Sequence, residues 1–117
     1  MFKDILKGAV EAVPGAAGAI FADWEGESVE FYFAGSEYEI KLLGAHQGIL
    51  LNLAEDAAAN FGQGRVRGIT YETDEYKGVV QPVKDGYYLA MLLSRGGNGA
   101  LARHAIQRTA DALMEEI

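Results

Sequence analysis

The sequence predicts an α+β domain in which a five-stranded antiparallel sheet lies between one long helix on one face and two terminal helices on the other. Two observations predict this arrangement. Residues 36–61 run for about seven helical turns without a proline and consist mainly of good helix formers. The segment YYLAMLLS, residues 87–94, is continuously apolar, as expected of a central strand that is covered on both faces.

Composition and charge narrow the class of protein. The 117 residues suit a single domain, predicted over 1–117, that buries about two-thirds of its unfolded surface. A chain with a formal charge of -7 lacks the basic surface that binds nucleic acid or anionic membranes, so we expect neither partner. The absence of cysteine excludes disulfides, thiolate metal sites and a cysteine nucleophile. The N-terminal segment is too short and too mixed in charge for a signal peptide or a membrane span, and we expect a cytoplasmic protein.

The long helix, predicted over Ser36–Phe61, has more apolar surface than one sheet can cover. It opens on a capping box, in which the side chains of Ser36 and Glu39 each accept a hydrogen bond from the other residue's backbone amide. At 100° per residue the apolar side chains form adjoining stripes, namely Tyr38, Leu42, Ala45, Ile49 and Leu53, then Leu43, Leu50, Ala54, Ala57 and Phe61, widened by Ile40, Leu51 and Ala58. The remaining narrow sector holds Glu37, Lys41, Gly44, Gly48, Asn52, Glu55 and Ala59. Because a surface helix normally shows one stripe of about 100°, the surplus predicts a partner.

The other elements follow from shorter patterns. We predict terminal helices at Phe2–Val13, stopped by Pro14-Gly15, and at Ala100–Ile117. Arg65–Thr73 alternates without a strongly apolar face, which favours an edge strand. The remaining strands are predicted at Ala16–Ala22, Ser28–Phe33, Tyr76–Val83 and Tyr87–Ser94, with a hairpin turn at Lys84–Gly86.

Several of these segments together resemble the roadblock family. They are the helix-Pro-Gly junction before a small-residue strand (VPGAAGAIFAD), the D-x-x-G turn at Asp23–Gly26, the apolar long helix, and DGYYLAMLL followed by a Gly-Asn-Gly loop. The resemblance extends from Phe2 to about Leu113. This family contains the roadblock dynein light chains, lysosomal scaffold subunits and bacterial partners of small Ras-like GTPases. The resemblance implies a profilin-like fold with strand order 2-1-5-4-3 and dimers that pair the long helices and the third strands.

The resemblance also implies a function. Members of the family mostly act without chemistry, so we expect no enzyme, no cofactor and no metal, but a homodimeric adaptor that binds a small Ras-like GTPase and modulates its nucleotide cycle. The alternative is a structural scaffold subunit of a larger cytoplasmic complex without a GTPase. A small-molecule sensor is a third class, although the sequence offers no obvious convergence of polar groups for a ligand.

The expected interface combines the long helix with the edge strand. Gly44 and Gly48 permit close approach of another backbone, and we expect two long helices to cross antiparallel there. The alternative is that both glycines face solvent, at about 1 kcal/mol each in helix propensity. The predicted dimer or partner interface comprises Lys41, Gly44, Gly48, Leu51, Asn52, Glu55, Arg65, Arg67, Ile69 and Tyr71.

Candidate catalytic or ligand-binding residues have simpler interpretations. The glycine-rich loop 96–99 does not match the phosphate-binding GxxxxGK[ST] spacing, and helix capping by Asn98 or Gly99 is the favoured role. His46 and His104 lack neighbouring ligands for a metal. Arg65 and Arg67 could act as arginine fingers, but pairing with local acidic residues is favoured. The acidic clusters are predicted to be solvated, with a second use in attracting a basic patch of a partner; they are Glu25/Glu27/Glu30, Glu37/Glu39 and Glu72/Asp74/Glu75.

Overall fold

The computed structural model describes residues 2–23, 25, 27–35 and 37–116. In this part of the chain three helices and five strands form. The helices are α1 (Phe2–Glu11), α2 (Glu37–Asn60) and α3 (Gly99–Glu116). The strands are β1 (Ala16–Asp23), β2 (Ser28–Phe33), β3 (Ile69–Glu72), β4 (Tyr76–Pro82) and β5 (Tyr87–Ser94). Within these ranges, no helix is long and apolar enough to cross a membrane.

The five strands form one antiparallel sheet in the order β2-β1-β5-β4-β3. This order and the predicted three-layer arrangement are confirmed. β5 lies at the centre, where Ala90 pairs with Ile20 of β1 on one side and Val80 of β4 on the other. Because helices cover both faces of the sheet, β5 alternates between two apolar environments, and this accounts for its continuous apolar sequence.

The larger core lies between the sheet and the two terminal helices. Leu6 of α1 and Ile106 and Leu113 of α3 are fully buried there against Phe21 and Leu89 of the sheet. The Phe21 ring also makes aromatic contacts with Phe2, at 5.6 Å between ring centroids, and with Tyr87, at 5.2 Å. The buried residues of α3 follow one helical stripe, so this helix has an apolar inner face and a polar outer face.

The second core, between the sheet and α2, is smaller. Its buried members are Ile20, Ala22, Leu51, Val80, Tyr88 and Ala90. Leu51 is its buried member from α2, and Leu43 packs against its edge. Among the described side chains of α2, at positions 43–60, Leu51 is therefore the only large apolar one that is buried in the core of its own chain.

Two elements, α1 and β3, differ from the predicted ranges by more than one residue at an end. α1 ends at Glu11 rather than Val13, because the residue before a proline is disfavoured in the helical conformation and Gly15 turns the chain at φ 88°. β3 spans Ile69–Glu72 rather than Arg65–Thr73. Its pairing with β4 starts at Ile69, which lies opposite Val80. If the pairing continued toward the N-terminus, Arg67 would lie opposite Pro82, which has no N–H to continue the ladder.

Two predicted turns can be compared with the structure, the turn that follows β1 and the turn between β4 and β5. The Asp23 carboxylate accepts hydrogen bonds from the backbone amides of Glu25 and Glu27, each at 3.0 Å. The turn between β4 and β5 is a short 3-10 helix at Lys84–Gly86, closed by a 2.7 Å hydrogen bond from the Val83 amide to the Tyr87 carbonyl. The predicted capping box lies outside the described residues, because it depends on Ser36 and on the side chain of Glu39.

Candidate partner-binding surface

The glycines of α2 face the sheet of their own chain. A Cβ atom on Gly44 would lie 2.7 Å from Ile20 Cδ1, and one on Gly48 would lie 2.7 Å from Tyr88 Oη. The prediction that two long helices cross at these glycines is wrong, and so is the alternative that they face solvent. The missing side chains instead make room for Ile20 and Tyr88, so that α2 lies close to the sheet.

Leu51 belongs to the same inward face. It is 6% exposed and packs in the core between α2 and the sheet. Its predicted place in a contact with another chain is therefore wrong as well. From Gly44 to Gln47 or Gly48, and from these to Leu51, the interval is three or four residues, which is the spacing of one helical face.

Three polar side chains hold α2 on the sheet. Tyr88 Oη donates a 2.5 Å hydrogen bond to the Gly44 carbonyl. Gln47 is 1% exposed, and its Nε2 donates a 2.6 Å hydrogen bond to Tyr71 Oη on β3. These contacts fix the helix to both the centre and the edge of the sheet, and the sequence prediction did not include Gln47 or Tyr88. The spacing of Gln47 from the two glycines was the available signal.

Both phenol groups are held neutral by their surroundings. Burial raises the pKa of Tyr88 to about 12, with the nearby Asp23 carboxylate adding to the rise. Burial also raises the pKa of Tyr71 well above its usual value, and its hydrogen bond with Tyr76 acts in the same direction. The raised pKa values keep both side chains protonated further into the alkaline range than an exposed tyrosine, so that Tyr88 donates the hydrogen bond to Gly44 there as well as at neutral pH.

The outward face of α2 carries an exposed apolar row, which we define as Ile49, Leu50 and Leu53. Ile49 is 56% and Leu53 61% exposed. These residues lie within about one helical turn of one another, so their side chains form one patch. Phe61, just beyond the end of the helix, is also largely exposed. A contiguous apolar patch of this kind makes the outward face of α2 the candidate surface for a partner.

β3 forms the edge of the sheet next to this helix. Ile69 and Tyr71 are half-buried on the α2 side, where Tyr71 lies over Gly78 of β4. Among the described strands, β3 pairs with β4 only. Its outer row of backbone N–H and C=O groups is consequently open to pairing with another strand.

The remaining predicted interface residues lie around these two elements. Asn52 is exposed, and Glu55 is half-buried and accepts a 3.0 Å hydrogen bond and ion pair from Arg65 Nε. Because the Arg65 side chain is 86% exposed, this pair stabilises the fold by about 1 kcal/mol at most. Pairing of Arg65 with a local acidic residue is the favoured prediction of the sequence. The side chain of Lys41 lies outside the described residues.

Two candidate ligand sites of the sequence, a metal site and the glycine-rich loop, can be compared with the described residues. No group of three possible metal ligands occurs among them. The loop before α3 has a capping role, as the sequence predicts, because the Asn98 side chain accepts a 3.1 Å hydrogen bond from the Leu101 amide. Lys77 Nζ donates to the Gly97 carbonyl in the same loop, at 3.1 Å, and thereby ties the loop to β4.

Comparison with known proteins rests on structure. No protein-family model and no curated protein matches the sequence. The Roadblock/LC7 domain from Streptomyces avermitilis superposes with a TM-score of 0.91 at 21% identity, over 97% of this chain and 95% of that one. The fold is that of Roadblock/LC7 domains.

Two further structures extend the comparison. MglB, in a structure with tetrameric arrangement, has a TM-score of 0.85 at 15% identity, over 96% of this chain and 84% of that one. Profilin IB from Acanthamoeba castellanii has a TM-score of 0.65 at 14% identity, over 99% and 98%. The profilin-like fold that the sequence resemblance implies is therefore confirmed.

Proposed function

We propose that this chain is a non-catalytic, cytoplasmic, homodimeric adaptor of roadblock type that binds a small Ras-like GTPase and regulates its nucleotide cycle. One observation carries the proposal: α2 is already packed on the sheet through its glycine face, yet presents the exposed apolar row on its other side. The fold shared with Roadblock/LC7 domains and MglB supports it, as does the sequence resemblance to a family that includes bacterial partners of such GTPases.

In the proposed dimer both α2 and β3 are used. A two-fold axis perpendicular to the sheet, at the free edge of β3, places the two α2 helices on the same face and joins the two sheets through their β3 strands. The two α2 helices then lie side by side on that face, so that the flanks of their exposed apolar rows meet, while backbone hydrogen bonds form between the strands. This arrangement keeps the dimer part of the prediction and replaces the glycine contact with the apolar row.

An estimate of the energies indicates that both contacts are needed. Full burial of a Leu or Ile side chain contributes about 1.5–3 kcal/mol. Newly burying about half of each of six such side chains, three per subunit, contributes roughly 5–9 kcal/mol. Association costs roughly 4–15 kcal/mol. The helix contact alone therefore gives a marginal dimer, and the strand pairing is required to make it stable.

The GTPase is proposed to bind the platform that the paired α2 helices form. Arg65 is engaged with Glu55 in its own chain, which disfavours its use as an arginine finger. Regulation then follows from binding one nucleotide state of the GTPase more tightly than the other, because a ligand shifts an equilibrium only by its differential affinity for the two states.

The experiment is size-exclusion chromatography with light scattering, on the protein alone and with a small Ras-like GTPase encoded by the same genome. We expect a dimer of about twice the 12.6 kDa chain mass, and a larger complex with the GTPase loaded with a non-hydrolysable GTP analogue. The GDP-loaded GTPase is the matched control. A dimer that binds neither form contradicts GTPase binding and favours the scaffold subunit. A monomer contradicts the proposed homodimer.

A further inference from the structure

A basic cleft lies on the α3 side of the sheet, between α3 and the start of β3. Its volume is about 440 Å³, and its lining includes Arg67 and Gly68 from the sheet edge and Arg103 and His104 from α3. Among the described residues neither arginine forms an ion pair. No acidic residue lies within one turn of Arg103 on α3. The cleft therefore holds uncompensated positive charge in a chain whose net charge is -7.

An acidic segment lies at the other end of the same strand. Glu72 ends β3, and Asp74 and Glu75 follow in the turn to β4. All three are exposed, and neither Glu72 nor Asp74 has an ion-pair partner among the described residues. β3 thus has a basic cleft beside its first residues and free carboxylates at its end. An antiparallel pair of such strands brings opposite charges together.

The geometry of the sheet restricts how two β3 strands can pair. Ile69 and Tyr71 point toward α2, while Thr70 lies on the α3 side, with its methyl group 3.9 Å from a Cβ built on Gly99. By alternation Gly68 and Glu72 lie on the α3 side too. Residues opposite each other in an antiparallel pair point to the same face. A two-fold axis must therefore pass through a residue and not between two residues.

Two registers that meet this condition pair most of β3 with β3 of the second copy. Centring on Thr70 places Glu72 of the second copy opposite Gly68, since each lies two positions from the centre. Centring on Tyr71 brings Asp74 of the second copy, which lies in the turn just beyond β3, near Gly68, each three positions away. In both registers a carboxylate falls on the residue that lines the basic cleft, and Gly68 has no side chain to obstruct it.

We infer that the basic cleft receives a carboxylate from β3 of a second copy of this chain, Glu72 or Asp74, twice in each dimer. This inference rests on the proposed homodimer and assigns its register. The carboxylate accepts hydrogen bonds from the guanidinium group of Arg103, on α3. The exposed apolar row of α2 carries no charge and does not by itself favour one alignment of the two chains. The charge pairs favour the correct register, and they favour a second copy of this chain over other partners.

Disulfide trapping tests the register directly, because the native chain has no cysteine. In the double variant Gly68→Cys/Glu72→Cys, the two positions lie roughly 13 Å apart within one extended chain, beyond the reach of a disulfide. Across the dimer they lie about 4.5–5.5 Å apart. We expect a covalent dimer under mild oxidation from this variant or from Gly68→Cys/Asp74→Cys, which reports the second register. The three single variants are the matched controls, and we expect them to remain unlinked.

A charge reversal tests the cleft itself. We expect Arg103→Glu to raise the dissociation constant of the dimer at least about 10-fold at low salt, and less at high salt. Arg108→Glu, on the same helix but outside the cleft, is the matched control and should leave it unchanged. Adding Glu72→Arg or Asp74→Arg, whichever the trapping identifies, to Arg103→Glu should restore dimerisation.

The outcomes separate this inference from the proposed function. A monomeric wild-type protein overturns the homodimer and this inference with it. A wild-type dimer with no disulfide in either double variant overturns this inference alone. This inference alone is also overturned if Arg103→Glu dimerises as strongly as Arg108→Glu. In that case the cleft makes no contact between copies, and an acidic partner other than this chain would be sought for it.

Discussion

At the residue scale, Gly44 and Gly48 determine how α2 sits on the sheet. Each is in van der Waals contact with a large side chain from the sheet, Ile20 or Tyr88, at a distance that a Cβ atom would violate. A glycine inside a helix costs about 1 kcal/mol relative to alanine. Here that cost is offset by the close approach of the helix to the sheet. The two glycines are therefore needed for packing within one chain, which leaves the larger side chains of α2 available for a partner.

We expect Gly48→Ala to destabilise the protein by about 1–2 kcal/mol. The new methyl group would lie 2.7 Å from Tyr88 Oη and 3.0 Å from its Cζ, and overpacking of this kind costs about 1–3 kcal/mol, more than the gain in helix propensity. Gly8→Ala in α1 is the matched control, since nothing lies within 4 Å of its Cβ position, and it should stabilise by up to about 1 kcal/mol. Urea denaturation measures both; equal stabilisation by the two variants would contradict this description of α2.

At the element scale, two tyrosines attach α2 to the sheet and make that attachment sensitive to alkaline pH. The pKa of Tyr88 is raised to about 12 in the folded protein, above the value of about 10 for an unfolded chain. Between these values the unfolded state loses the proton first. Stability is therefore unaffected below about pH 10 and falls as the pH rises toward 12. The raised pKa of Tyr71 acts in the same direction.

The corresponding experiment compares the wild-type protein with Tyr88→Phe. We expect the free energy of unfolding of the variant to be lower by about 0.5–1.5 kcal/mol at pH 8, because the hydrogen bond to the Gly44 carbonyl is lost. Its decline between pH 10 and 12 should be shallower, since one titrating group has been removed. Parallel declines in the two proteins would show that Tyr88 does not titrate as its burial requires.

The elements themselves were largely predictable from the sequence, because each depends on a local pattern. The alternation in β2, the apolar run of β5 and the long proline-free segment each specify one element. The side of α2 that meets the sheet was not predictable in this way. Ile20 and Tyr88, which fill the space at the glycines, come from distant strands, and their position depends on the sheet order.

The short length of β3 and the basic cleft were not predictable for the same reason, since both depend on how distant elements pack. β3 begins only at Ile69 because of its register with β4, which brings Pro82 opposite the preceding residues. Arg67 and Arg103 are separated by more than thirty positions in the sequence, and they line the same cleft only because α3 crosses the sheet beside β3. Of the predicted interface, the contributions of β3 and of the helix as a whole remain proposals, whereas Gly44, Gly48 and Leu51 are shown to serve the core of their own chain.

At the scale of the whole molecule, one side of the sheet is complete and the other is not. The face covered by α1 and α3 contains the larger core, with Leu6, Ile106 and Leu113 fully buried. The α2 layer leaves its apolar row exposed next to a free strand edge. Because folds of this kind support many functions, the partner must be identified from this surface and not from the fold. The proposed second copy of the chain would use both features at once.

The measurement that tests this most directly is sedimentation equilibrium of the wild-type protein, Leu53→Asp and Leu101→Asp. Leu53 lies in the apolar row and is 61% exposed, whereas Leu101 lies on α3 and is 38% exposed. We expect the wild-type protein and Leu101→Asp to be dimers. Leu53→Asp, which acts twice in the symmetric contact, should raise the dissociation constant roughly 100-fold or more while the circular dichroism spectrum stays unchanged. Equal dimerisation of all three proteins would contradict the assignment of α2 as the partner-binding surface.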